Sequence, residues 1–294
     1  MKKIGFIGLG IMGKPMAFNL MKAGFEVHVY ARSPEKIQDL VAQGAVLHQS
    51  VGDCAKACET VITMLSAPAD VEEIYTGSGN LFDSAAPGTY LIDMTTSAPS
   101  LAQRLFEEGT KRALHVLDAP VTGGDYGAKA GTLSILVGGE RADFETCLPV
   151  FRAMGTNINY LGPAGCGQHA KMANQIVVAG TVAGVCEALA YAKTKGLDLQ
   201  VLFDAISTGA AGSAQLQNLG PKILCGDYAP GFYIRHFVKD MTLAEREAAQ
   251  SGLELGVLHQ VKQEYSALMD EGKQLLGTQA LMEYYLRPET PEGK

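Results

Sequence analysis

Lys3-Ile4-Gly5-Phe6-Ile7-Gly8-Leu9-Gly10-Ile11-Met12-Gly13 is the stretch from which the fold can be read. Lys3 to Ile7 is a short buried strand that runs straight into a G-x-G-x-x-G turn. Pro15 to Ala23 follows as a helix, with apolar residues at Met16, Ala17, Leu20 and Met21 and a stop at Gly24. Gly8 suits the tight strand-to-helix turn, Gly10 lets a pyrophosphate approach the backbone, and Gly13 lets the helix lie close to the strand. The helix N-terminus then offers free N–H groups and a positive dipole end to phosphate. A second strand, Glu26-Val27-His28-Val29-Tyr30, completes the setting in which this glycine pattern is expected to bind a dinucleotide.

The end of that second strand bears on which dinucleotide. NAD sites place an acid there for the ribose 2′-hydroxyl. This chain has Ala31-Arg32-Ser33, with Lys36 one turn further on. Arg32 can grip a 2′-phosphate bidentately and Ser33 can donate to it, so NADP is expected, with NAD the alternative. An ordinary solvated arginine is the plainer explanation of Arg32.

Strands and helices keep alternating. Helices are expected over Pro34–Gln43, from Ser50 to about Ala57, and over Ala69–Tyr75, Ser100–Lys111 and Arg141–Met154. Strands are expected at Val46–Leu47, Thr60–Leu65, Tyr90–Met94, His115–Asp118, Thr132–Gly138 and Asn157–Leu161. Met64 and Leu65 end a fully apolar strand at the expected cofactor crevice. The hydroxyls of Thr95-Thr96-Ser97 fall where a nicotinamide ribose would lie, or cap the helix ahead of Pro99. Asp118-Ala119-Pro120-Val121-Thr122-Gly123-Gly124 reads as a strand end followed by a backbone nest for a carboxylate, or as a plain glycine turn.

After Gly167 the strands stop. Helices are expected at Gln168–Lys195, Leu199–Ser207, Ala214–Leu224, Lys239–Ser251, Val257–Glu271 and Gln279–Tyr285. The first is rich in Ala and Gly, which favours close helix packing or a dimer interface. Lys171, Asn174 and Gln175 share its leading face. The expected domains are thus 1–163 and 164–286, with a disordered tail over 287–294.

Composition narrows the function classes. At 294 residues, 47% hydrophobic and 19% charged, the chain is long enough for one large or two ordinary globular domains. A formal charge of −7 argues against nucleic acid or an anionic membrane as the main partner. The six cysteines are scattered, which predicts buried free thiols and a cytoplasmic location. No uninterrupted apolar run reaches a membrane span. Gly5, Gly8 and Gly10 interrupt what could pass for a signal peptide. The histidines form no ligand cluster, so no metal is expected.

The chain resembles the β-hydroxyacid dehydrogenases from residue 3 to about 285. That family includes 3-hydroxyisobutyrate dehydrogenases, tartronate semialdehyde reductases and glyoxylate/succinic semialdehyde reductases. Four motifs stand in order: Gly8 to Gly13, Asp118 to Gly124, Gly165-x-Gly167-Gln168 through Lys171-x-x-Asn174-Gln175, and Lys239-Asp240. Thr122 replaces the usual serine, which keeps the hydroxyl and adds a methyl. The resemblance implies a Rossmann-type doubly wound α/β domain followed by an all-α, 6-phosphogluconate-dehydrogenase-like C-terminal domain. It implies Lys171 as general acid/base, Asn174 as substrate holder, and Thr122, Gly123 and Gly124 on the substrate carboxylate. Leu9, Ile11 and Met12 would contact the cofactor along with the loop glycines, as would Met64, Leu65, Thr96 and Lys239. Ser213 and Phe232 would shape the substrate pocket.

The expected reaction is hydride transfer between NADP(H) and a small semialdehyde carboxylate such as tartronate or succinic semialdehyde. Desolvation and Lys239 would lower the Lys171 pKa towards neutrality. An NAD-dependent 3-hydroxyisobutyrate dehydrogenase is the second reading, and a non-catalytic nucleotide sensor the third. Lys171, Asn174 and the glycine nest argue against the sensor. A decarboxylating sugar-phosphate enzyme would be longer and more basic at its site. A homodimer or homotetramer is expected.

Overall fold

The computed structural model describes residues 1–287. Apart from Arg287, the expected tail lies outside the described residues. The strands are β1 (Lys3–Ile7), β2 (Glu26–Tyr30), β3 (Val46–Leu47), β4 (Thr60–Thr63), β5 (Tyr90–Asp93), β6 (His115–Asp118), β7 (Val121–Thr122), β8 (Leu133–Gly138) and β9 (Gly155–Gly162). Among the described residues they form one sheet in the order β3-β2-β1-β4-β5-β6-β8-β7, with β9 paired to β8. The first six pair in parallel, whereas β8 runs antiparallel to β6 and β7. The parallel part has the 3-2-1-4-5-6 order of a doubly wound dinucleotide fold, with its switch point between β1 and β4.

Alternation along the central strands divides their side chains between two cores. Ile4, Phe6, Ile62, Ile92 and Leu117 face one side with α1 (Gly13–Lys22) and the helix Arg141–Arg152. Ile7, Val61, Leu91 and Val116 face the other, against helices at Val51–Lys56, Pro68–Thr76 and Pro99–Lys111. A parallel sheet covered on both faces reads as continuous apolar runs, which is why these strands were legible.

Several expected elements need correction. Pro34–Gln43 is a 3-10 turn, Pro34–Ile37, followed by a short helix, Gln38–Ala42. Two further short helices, Leu81–Ser84 and Gly124–Ala130, carried no sequence signal. The second of these has two glycines in seven residues and no apolar stripe. The helix expected from Lys239 begins at Ile234 and runs to Gln250. Buried Ile234 and Phe237 extend the stripe of Met241 and Ala244 backwards, so Lys239 and Asp240 lie inside the helix. The last helix is a 3-10 turn, Thr278–Leu281, continued by Met282–Tyr285.

The chain divides into two compact units, Met1–Lys171 and Met172 onward. The division falls within the helix Cys166–Thr194. The second unit packs its helices around Cys186, Leu189, Phe237, Met241, Tyr265 and Leu281. By length and composition, Cys166–Thr194 could cross a membrane, but half of its most apolar window is buried within the protein. Core helices of soluble proteins share that property. Cys54, Cys58, Cys147 and Cys186 are buried free thiols as expected, while Cys166 is half-buried and Cys225 exposed.

Candidate active site

Gly8 ends β1 with φ +96, and a Cβ there would lie 2.2 Å from the Met64 carbonyl oxygen. That is the switch point, where the ends of β1 and β4 crowd together. At Gly13 a Cβ would come within 1.9 Å of the Gly8 carbonyl oxygen. At Gly10 it would meet nothing within 4 Å. Leu9 and Met12 pack against the sheet core, whereas Ile11 is exposed. The loop therefore offers open backbone at Gly10, with exposed Ile11 beside it. Helix α1 starts with no side-chain cap and no acid in its first turn. An uncapped helix start beside an open glycine fits a pyrophosphate.

At the end of β2, Arg32 and Lys36 are exposed and neither makes an ion pair among the described residues. Ser33 precedes the 3-10 turn with no hydrogen bond from its side chain to that turn. Lys14 reaches across from α1, donating to the Lys36 carbonyl at 3.0 Å and pairing with Asp39 at 2.8 Å. That pair occupies Asp39, the next acid along the chain after Glu35.

Beyond β4, the Leu65 N–H donates to Thr95 Oγ1 at 2.8 Å. Asp93 Oδ1 accepts from the Thr63 hydroxyl at 2.8 Å and from the Thr95 N–H at 3.1 Å. These bonds lace the ends of β4 and β5 together. Thr95 and Ser97 are buried, and Thr96 between them is half-buried. The expected capping by these hydroxyls is not seen, because the helix Pro99–Lys111 has Ala98 at its N-cap and no side-chain bond there.

Asp118 ends β6 and is buried. Its Oδ1 accepts from the Gly165 N–H and its Oδ2 from the Gln168 N–H, each at 2.8 Å. The carboxylate thus caps the helix Cys166–Thr194, hereafter the long helix. Burial pushes its pKa up to about 6 against the pull of those two donors. Space for it comes from two glycines. A Cβ at Gly138 would lie 2.5 Å from Oδ1, and one at Gly167 2.8 Å from Oδ2. The Gln168 side chain accepts from the Ser97 N–H at 2.9 Å and donates to the Thr95 carbonyl at 2.8 Å. One turn along the same helix, buried Lys171 donates from Nζ to the Val121 carbonyl at 2.8 Å. The next residues are Thr122, Gly123 and Gly124, with φ +126 and +63 at the glycines. Thr122 is half-buried and both glycines are exposed. The ammonium therefore stands next to the nest read from the sequence.

The second unit carries a separate polar chain. Asn174 Nδ2 donates to Gln175 Oε1 at 2.7 Å, and Gln175 Nε2 donates to Asp240 Oδ2 at 2.7 Å. Asp240 Oδ1 lies 2.9 Å from Lys239 Nζ. Gln175 is buried and orients the Asn174 amide, a role its sequence position did not reveal. Ser213 caps the helix Ala214–Leu224 by accepting from the Leu216 N–H at 3.0 Å, so its hydroxyl already has a structural partner. Phe232 packs on Phe237 with ring centroids 5.5 Å apart.

Comparison with known proteins decides the family. The model for the NAD-binding domain of 6-phosphogluconate dehydrogenase matches residues 3–162. The model for the NAD-binding domain of NADP-dependent 3-hydroxyisobutyrate dehydrogenase matches residues 165–285.

The chain belongs to the β-hydroxyacid dehydrogenase family.

An uncharacterized oxidoreductase of Bacillus subtilis is 48% identical over 286 residues, covering 97% of this chain and 99% of the relative. An NAD-dependent L-serine dehydrogenase of Pseudomonas aeruginosa is 40% identical over 258 residues, covering 85% of this chain and 86% of the relative. A solved 3-hydroxyisobutyrate dehydrogenase of Mycobacterium tuberculosis with L-serine is similar at TM-score 0.87 and 30% identity, covering 98% of this chain and 100% of that one. As a β-hydroxyacid dehydrogenase, the chain is an NAD(P)-dependent oxidoreductase acting on a CH–OH group. Sequence reading of this dehydrogenase missed Asp118 as a helix cap and Gln168 as a clasp. The signal available was a carboxylate at a buried strand end together with glycines at 138, 165 and 167, residues that leave room for close backbone approach.

Proposed function

We propose that this dehydrogenase interconverts a small semialdehyde carboxylate and its hydroxy acid, with tartronate or succinic semialdehyde as substrate and NADP(H) preferred. The observation that carries the reading is the Lys171 ammonium, 2.8 Å from the Val121 carbonyl and next in line to Thr122-Gly123-Gly124. The nest holds the substrate carboxylate through backbone N–H groups and the Thr122 hydroxyl. When bound, the nicotinamide supplies or accepts the hydride. In reduction, negative charge develops on the former carbonyl oxygen. Lys171 donates a proton to that oxygen and stabilises its charge. In oxidation Lys171 takes the proton back. Asn174, its amide oriented by Gln175, keeps a carbonyl oxygen and a second N–H for the substrate.

The preference for NADP rests on exposed Arg32 and Lys36 and on the missing acid at the end of β2. Arg32→Asp is expected to shift the ratio of kcat/KM values for NADPH over NADH towards NADH by about 10²-fold, the loss of one bidentate charged contact plus repulsion of the phosphate. Unchanged cofactor selectivity in that variant would make Arg32 a solvated surface residue.

A second reading is NAD-dependent oxidation of a β-hydroxy acid such as 3-hydroxyisobutyrate or L-serine. The NAD-dependent L-serine dehydrogenase of P. aeruginosa favours it, at 40% identity. Initial rates with tartronate semialdehyde, succinic semialdehyde, 3-hydroxyisobutyrate and L-serine, each with both cofactors, separate the two. Faster turnover of the hydroxy acids with NAD⁺ would replace the first reading by the second. Exposed Val177, Val201 and Val257 in the second unit support a homo-oligomer.

A further inference from the structure

We propose that Asp118 is a positioning residue for the proton donor, acting through the first turn of the long helix to hold Lys171 beside the substrate nest. The inference rests on the reading of Lys171 as the acid/base.

The segment Asp118–Val121 and the helical turn Gln168–Lys171 lie side by side, joined at both ends. At one end Asp118 Oδ2 accepts from the Gln168 N–H at 2.8 Å. At the other, Lys171 Nζ donates to the Val121 carbonyl at 2.8 Å. The two bonds are rungs of one frame, each three residues from the other on both strands of it. The Asp118 rung is doubled by Oδ1 on the Gly165 N–H, also at 2.8 Å. A third tie, Gln168 Nε2 to the Thr95 carbonyl and the Ser97 N–H to Gln168 Oε1, fixes the same turn to the end of β5.

Lys171 has a long flexible stem and a compact charge, so its ammonium can reach many positions. What selects one is where the helix starts. The helix cannot advance towards the strand, because a Cβ-sized gap is already closed at Gly167, where that atom would lie 2.4 Å from the Leu136 carbonyl and 2.6 Å from the Asp118 carbonyl. It cannot retreat without breaking two bonds to a carboxylate that is buried from water. Asp118 acts through the backbone of the turn that carries Lys171, by holding the Gly165 and Gln168 amides.

Asp118→Asn tests this. The substitution keeps the size of the side chain and replaces one accepting oxygen by an NH₂ group, which cannot accept from Gly165 or Gln168. The assay uses whichever panel substrate the parent turns over fastest, with its preferred cofactor. The expected result is a fall in kcat on the order of 10-fold to 10²-fold, as for a small misplacement of a catalytic group. KM and Kd for the cofactor stay within about twofold, because the glycine loop is untouched. A purely structural role would not separate kcat from cofactor affinity in this way. A parent-like kcat overturns the proposal, as does a parallel loss of kcat, cofactor affinity and thermal stability. Should Asp118→Asn give no soluble protein, Asp118→Glu carries the same test, since it keeps both oxygens on a stem one methylene longer. Parent-like turnover in that variant would mean that the height of the helix does not matter. Lys171→Ala is measured alongside. If it turns over normally, the acid/base reading itself fails. If it is inactive while Asp118→Asn is normal, only the positioning role fails.

Discussion

Lys171→Ala is expected to lower kcat by about 10²- to 10⁴-fold while leaving cofactor affinity within about twofold. The magnitude is that of a general acid whose proton must come from water instead. Lys171 is buried and its Nζ is committed to the Val121 carbonyl at 2.8 Å, so the residue is not a solvated surface lysine. Truncation removes both the proton and the positive charge beside the nest. It also leaves the Val121 carbonyl without that donor, at a cost of about 1–3 kcal/mol if water does not enter. Two measurements keep the effects apart. Single-turnover rates at saturating cofactor report the chemistry, and a thermal melt reports the lost hydrogen bond. Turnover within a few-fold of the parent would remove Lys171 from the mechanism.

Gly13→Ala is expected to destabilise the protein by about 3 kcal/mol and to abolish measurable cofactor binding. The added methyl would start 1.9 Å from the Gly8 carbonyl oxygen and 3.0 Å from the Phe6 ring. Neither neighbour can step aside cheaply. Gly8 is held by its own approach to Met64, and Phe6 is fully buried in the sheet core. Relief has to come from moving the start of α1 off β1, which displaces the N–H groups offered to phosphate. Gly10→Ala is the useful contrast, because a Cβ there meets no protein atom within 4 Å. It should leave the apo protein's melting temperature almost unchanged. Equal stability of the Gly13→Ala and parent proteins would show that the loop relaxes far more easily than its packing implies.

The parts of this fold that were legible in the sequence are those where one residue type has one physical use. Continuous apolar runs mark β1, β4, β5 and β6, since both faces of the sheet are covered. The glycines of the loop announced themselves because only they tolerate the crowding at positions 8 and 13. Illegible parts are those fixed by partners distant in sequence. Gly124–Ala130 forms a helix without an apolar stripe. Ile234 begins its helix because Phe237 and Met241 are buried behind it, which Lys239 and Asp240 obscured. At the candidate site, the sequence names Lys171 and Thr122-Gly123-Gly124, but not the bond from Lys171 to the Val121 carbonyl that places the ammonium beside that segment. Gln175 is legible only as a member of the leading face of the long helix, whereas it bridges Asn174 to Asp240. Thr95 and Ser97 were read as ribose contacts or caps, but Thr95 laces two strand ends and Ser97 offers its N–H to Gln168. Hydrogen bonds between residues 50 or more apart, such as Asp118 to Gln168, leave no periodicity to read.

Helices usually open from their ends, because the first turn has N–H groups with no partner in the helix and water competes for them. The long helix is different at its start. Its opening amides are held by a carboxylate out of reach of water, and its first turn is fastened again through Gln168. Local fraying, the cheapest motion available to most helices, is thereby denied to the turn that carries Lys171. Lys171 is mounted on a part of the chain that stays in place as long as the end of β6 beneath it does.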